Sequence, residues 1–76
     1  MTAIKAKILV VEDEAAIAHI LSSILTADGY SVTIAENGEQ ALIAAASHQP
    51  DAVLLDLGLP GMDGLEVLSR LRASYE

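Results

Sequence analysis

Val53-Leu54-Leu55-Asp56-Leu57-Gly58-Leu59-Pro60-Gly61-Met62-Asp63-Gly64 is the stretch on which the fold turns. An apolar run too short to span a membrane ends abruptly on a carboxylate and then breaks into Gly and Pro. Ala52 to Leu55 has the continuous apolar character of a strand covered on both faces, and the punctuation behind it turns the chain just where Asp56 sits. Ligands of open α/β sheets bind at the carboxyl ends of the strands. Asp56 is therefore the first candidate for chemistry.

Lys7-Ile8-Leu9-Val10-Val11-Glu12-Asp13-Glu14 repeats the pattern, with an apolar, β-branched strand from Ile8 to Val11 followed by carboxylates. Two such strands, parallel and adjacent, bring Glu12, Asp13 and Asp56 to one rim. Like charges held that closely repel, and either a raised pKa or a bound cation relieves them. Hard oxygen ligands without Cys or a paired His favour Mg²⁺ over zinc. The plainer reading is that Asp13 or Glu14 caps the next helix and complements its dipole, and that Asp56 merely ends a strand.

Between these strands, Ala15 to Ala27 reads as a helix. Ile17, Ile20, Leu21, Ile24 and Leu25 make one apolar stripe, and Gly29 is the expected stop. Tyr30 to Ala35 alternates as an edge strand with one face less completely covered. Asn37 caps a second, Ala-rich helix, which Pro50 ends. A last helix is expected from about Leu65 to Arg72, capped by Asp63. His19 and His48 have no companions at ligand spacing and read as helix-surface residues. The elements run β-α-β-α-β-α, and right-handed crossovers give the strand order 2-1-3. The first helix lies on one face and the other two on the opposite face. The switch point falls between strands one and three, where Asp13 and Asp56 stand.

Composition limits the function. The 76 residues suffice for one small domain, and 53% apolar content argues against disorder. A net charge of −7 disfavours nucleic acid and anionic membranes but suits a cation site. There is no Cys to form a disulfide or thiolate site. No leader and no apolar run of bilayer length is seen, so a cytoplasmic location is expected.

The run Ile8-Leu9-Val10-Val11-Glu12-Asp13-Glu14, together with Asp56-Leu57-Gly58-Leu59-Pro60-Gly61-Met62-Asp63-Gly64, resembles the receiver domain of two-component response regulators. The wording looks most like members that carry a winged-helix DNA-binding domain. The resemblance implies an α/β, flavodoxin-like (CheY-like) fold. Residues 1–76 would be its first three βα units, a truncated (βα)3 lacking the last two. It also implies that Asp56 accepts a phosphoryl group from a histidine kinase, that Asp13 binds Mg²⁺ directly, and that Glu12 holds a metal-bound water. The Gly58 backbone carbonyl would be a further ligand. Such a module is a phosphoacceptor rather than an enzyme. The Ser or Thr of strand four and the Lys of strand five, which engage the phosphoryl group in the family, are not among these residues, so slow phosphorylation is expected.

Two other classes bear on the same residues. A Mg²⁺-dependent phosphohydrolase calls for a second carboxylate two residues beyond the nucleophile, where Gly58 stands. A dinucleotide site calls for a Gly-rich turn after the first strand, which is absent. A receiver-like unit that only self-associates stays open. Ala52 to Leu55 has no Pro, Lys or inward charge to blunt an edge, and the stripes of Ile17, Ile20, Ile24, Leu68 and Leu71 lack cover. A homodimer through the strand-three edge or through the exposed helix faces is therefore expected.

Overall fold

Leu9, Val10 and Val11 are almost wholly buried, at 1%, 0% and 1% exposure, because their strand lies between two others and beneath helices on both faces. The computed structural model describes residues 6–56 and 69–70. Within them the order is β1 (Lys7–Val11), α1 (Ala15–Ala27), β2 (Ser31–Ala35), α2 (Gly38–His48) and β3 (Ala52–Leu55). The strands form a parallel sheet in the order β2-β1-β3, as the crossover argument requires. Val10 pairs with Ile34 on one side and Leu54 on the other.

The two faces of β1 are covered differently. Leu9 and Val11 meet Ala35 and the small side chains Ala41 and Ala45 of α2, with Leu42, Ala44, Val53 and Leu55 packed around them. Alanine lets that helix approach the sheet closely but removes little area from water per turn. Val10, alternating to the other face, lies beside Leu21 of α1. Ala18 is the one buried residue of that helix.

Caps and turns mark the element ends. The Asn37 side chain accepts the Gln40 backbone N–H at 2.9 Å, as expected of an N-cap, and Gln40 Oε1 accepts the Glu36 N–H at 2.9 Å. Replacing Asn37 with Ala should cost about 1 kcal/mol. Denaturant melts check this, since Asn37→Ser should recover most of the loss. Gly29 (φ 97) stops α1 in the left-handed region, where Gly29 N–H donates to Thr26 O and Tyr30 N–H to Leu25 O, a Schellman closure. Gln49 takes a left-handed conformation at φ 49 to end α2, with Pro50 following. At the start of the sheet, Asp51 Oδ2 accepts the Lys7 backbone N–H (2.8 Å) and Asp51 N–H donates to Lys7 O (2.7 Å). This clamp aligns β3 with β1.

Two expectations need correction. Neither Asp13 nor Glu14 caps α1 through its side chain: Glu14 occupies the N-cap with no side-chain bond. The stripe on α1 is only partly covered, as expected of its isoleucines. Ala18 is buried and Leu21 and Leu25 half-buried, while Ile17, Ile20 and Ile24 are 41%, 57% and 62% exposed. Nor is β3 covered on both faces, since Leu54 is 43% exposed; α1 packs mainly over β2 and β1. Among the described residues, no helix is long and apolar enough to cross a membrane. Of the helix expected from Leu65 to Arg72, only Ser69 and Arg70 are described, and both are helical and exposed. The rest of it lies outside the described residues, with Asp63, Leu68 and Leu71.

Candidate functional site

Parallel pairing delivers the acids. Leu55 stands opposite Val11 in register, and the Asp56 N–H donates to Val11 O at 3.0 Å. On the other side Glu12 N–H donates to Ala35 O at 3.0 Å. Each acid is thus held at its backbone by the last residue of a neighbouring strand. Asp13, released from capping, sits exposed between β1 and α1. The uncapped helix start removes the plainer reading of Asp13 as a cap.

Glu12, Asp13 and Asp56 each present a carboxylate oxygen within 4.8 Å of the others. Glu12 and Asp56 are half-buried and Asp13 is exposed. This is the one such group of potential metal ligands among the described residues. Gly58 lies outside the described residues. An open cleft of about 370 Å³ runs from Glu12 and Asp56 along the α1 side of the sheet, lined by Val10, Val11, Leu21, Leu54 and Leu55. A smaller cleft of about 200 Å³ opens at the opposite end of the sheet beside Lys7, Ser31 and His48. It carries no acid cluster. His19 and His48 are exposed on their helices.

Repulsion shows in the Glu12 carboxyl. The Glu14 backbone N–H, donating to Glu12 Oε2 at 3.2 Å, draws its pKa down. Desolvation, the Asp13 side chain and the charge and side chain of Asp56 push it up and prevail, so it lies above its ordinary 4.5. A carboxyl whose folded pKa exceeds its unfolded value binds protons more tightly when folded. Without divalent cation, the chain should therefore gain stability as pH falls from neutrality through that raised value towards 4.5. Glu12→Gln should lack this gain. Denaturant melts of both chains across that range check it, and parallel pH profiles would contradict it. Spacing along the sequence foretold the convergence; the uneven load on Glu12 depends on the placement of Glu14 N–H and Asp56.

The oxygens suit a hard divalent cation. At Mg–O distances of 2.0–2.1 Å, opposite ligands of an octahedral Mg²⁺ lie about 4.2 Å apart. The three carboxylate oxygens, all within 4.8 Å of one another, lie near that separation.

Comparison with known proteins bears on the family. The family model described as the response regulator receiver domain matches residues 8–76. The chain is 48% identical over 68 residues to the transcriptional regulatory protein KdpE of Staphylococcus aureus, covering 90% of this chain and 29% of that protein. It is 44% identical over 73 residues to the DNA-binding response regulator MtrA of Mycobacterium tuberculosis, covering 96% and 32%. The chain thus spans about a third of the length of these relatives. Among solved structures, the BeF3-activated N-terminal receiver domain of Klebsiella pneumoniae RstA superposes with a TM-score of 0.87 at 33% identity, covering 92% of this chain and 60% of that one. The N-terminal domain of a response regulator receiver protein from Methanoculleus marisnigri gives 0.84 at 39% identity, covering 87% and 54%. A β2-β1-β3 parallel sheet, an acid cluster at its switch point and a family match over nearly all its residues lead to one conclusion: this chain belongs to the response regulator receiver domain family.

Proposed function

We propose that the chain is a phosphoacceptor module of two-component signalling, with Asp56 as the nucleophile. The observation that carries this reading is the convergence of Glu12, Asp13 and Asp56 within 4.8 Å at the carboxyl ends of two adjacent parallel strands. A carboxylate oxygen of Asp56 attacks phosphorus and forms the acyl phosphate. The bond from phosphorus to the donor nitrogen or oxygen breaks, and its electron pair leaves with the donor. The donor is the phosphohistidine of a sensor histidine kinase or a small acyl phosphate. Bound Mg²⁺ supplies charge neutralisation for the transferring group. Asp13 would hold it directly, Glu12 through a water, with Asp56 and the Gly58 carbonyl completing the set. In this reading the chain turns nothing over, resides in the cytoplasm, and with a net charge of −7 makes no nucleic-acid contact itself.

Phosphorylation of these 76 residues by themselves should be slow, since neither the hydroxyl residue nor the Lys of the later strands is among them. Incubation with acetyl phosphate and Mg²⁺, followed by intact mass measurement, tests the reading. A chain that never gains a phosphoryl group would overturn it. The exposed β3 edge and the α1 isoleucines favour a second reading, a receiver-like unit that self-associates through that edge or through its helix faces without switching. It predicts association without labelling.

Metal binding has its own test. A cation at ten times its dissociation constant, bound only by the folded state, stabilises by about 1.4 kcal/mol. For a domain of this size that raises Tm on the order of 5–10 °C. Millimolar Mg²⁺ should give such a rise, and Asp13→Asn should abolish most of it. A parent melting curve indifferent to Mg²⁺ would remove the cation from the proposal.

A further inference from the structure

We propose that Asn37-Gly38 is a deamidation site, held shut by the start of α2 in the folded chain and released only when that helix start comes undone. Asn37 is the one asparagine in the sequence, and glycine follows it. With no Cβ on the following residue, nothing shields the Gly38 nitrogen from the asparagine side chain. The reaction is independent of phosphoryl transfer.

Water is the one co-reactant. The Gly38 backbone nitrogen attacks the Asn37 side-chain carbonyl carbon and forms a C–N bond. The bond from that carbon to Nδ2 breaks, its electron pair leaves with the nitrogen, and the proton lost by Gly38 completes ammonia. Water then opens the succinimide ring. Attack at the side-chain carbonyl leaves aspartate at position 37, whereas attack at the main-chain carbonyl leaves isoaspartate, whose main chain is longer by one methylene. Either product adds a negative charge, and nothing is oxidised or reduced.

Three features of the folded chain resist ring closure. Asn37 Oδ1 accepts the Gln40 N–H at 2.9 Å, which anchors the side chain to the first turn of α2. At Asn37 ψ is 175, which staggers Cβ against the Gly38 nitrogen, whereas a five-membered ring requires the two nearly eclipsed. Turning ψ would carry Gly38 with it, yet Gly38 is buried as the first residue of α2 and Asn37 O accepts the Ala41 N–H at 3.0 Å. Closure therefore breaks the cap and the first helical bond together. The dipeptide by itself is reactive; its place in the fold makes it slow.

The site lies at a joint. Ala35, two residues before Asn37, ends β2, and its carbonyl accepts the Glu12 N–H at 3.0 Å. Deamidation thus alters the link between α2 and the rim where Glu12, Asp13 and Asp56 converge. Aspartate keeps a capping oxygen, while isoaspartate displaces it. A chain that has opened carries a permanent mark on that link.

Intact mass and ammonia release over time, in neutral buffer, test this. In a peptide of residues 34–43, too short to fold, Asn37 should be lost at least about tenfold faster than in the folded chain, since opening must break an Asn cap and a helical turn. Urea sufficient to unfold the chain should erase the difference, and Leu9→Ala should narrow it. Asn37→Ser, which keeps a capping oxygen but has no amide, should release no ammonia. Asp28-Gly29 and Asp63-Gly64 rearrange without change of mass, so the readout is specific to residue 37. Ammonia released equally from Asn37→Ser would overturn the site. Equal rates for the peptide and the cooperatively melting chain would overturn the protection. If these 76 residues by themselves melt without a cooperative transition, the same residues within a complete receiver give the folded rate, and equality with the peptide there overturns the protection just as well.

Discussion

Asp56→Asn is expected to leave the chain with no phosphoryl group after incubation with acetyl phosphate and Mg²⁺, under conditions that slowly label the parent. An amide nitrogen has no lone pair free for attack, and the amide oxygen is far less nucleophilic than a carboxylate, so the loss should be complete within detection. The substitution keeps the backbone bond from residue 56 to Val11 O, which does not depend on the side chain. These 76 residues taken by themselves should label at least about a hundredfold more slowly than the same residues within a complete receiver, the usual effect of removing one positioned charge-stabilising group. Asp13→Asn should slow labelling further without preventing it. Undiminished labelling of Asp56→Asn would place the nucleophile elsewhere.

Leu9→Ala should produce the largest loss of stability. Leu9 is 1% exposed at the centre of the sheet and meets the α2 side of the core. Truncating a buried Leu costs about 2–5 kcal/mol, transfer and cavity together. A domain of 76 residues has on the order of 4–11 kcal/mol in all. The melting temperature should fall by at least about 10 °C, and much of the chain should be unfolded at 37 °C. Ile43→Ala, at a position 67% exposed on α2, should change stability by only about 0.5 kcal/mol. Thermal melts of the two variants check the contrast, and equal shifts would mean that the α2 face of the sheet is not the core.

Much of the fold and most of the site were legible along the chain. Ala15 to Ala27 and Ala52 to Leu55 have the limits expected of them, and the Asn37 cap and Gly29 stop act as read. Local backbone preferences explain this. A left-handed turn wants glycine, a helix start wants a short side-chain oxygen, and a buried parallel strand wants an unbroken apolar run. Right-handed crossovers then leave little choice but β2-β1-β3, which places the carboxyl ends of β1 and β3 side by side.

What the sequence by itself determined was thus the elements, their order and the residues that converge. Tertiary structure alone decided which apolar side chains are covered. A helix on a sheet touches it along a stripe narrower than the apolar arc of α1, so Ala18 is what that helix buries, with Leu21 and Leu25 half-buried. It also decided that α1 starts without a side-chain cap, that the Glu12 pKa lies above its ordinary value, and that Leu54 of β3 stays 43% exposed. Each of these depends on distances between residues far apart in the chain. Periodicity and spacing report only where a side chain stands on its own element, whereas burial and charge repulsion are set by what the neighbouring elements bring against it.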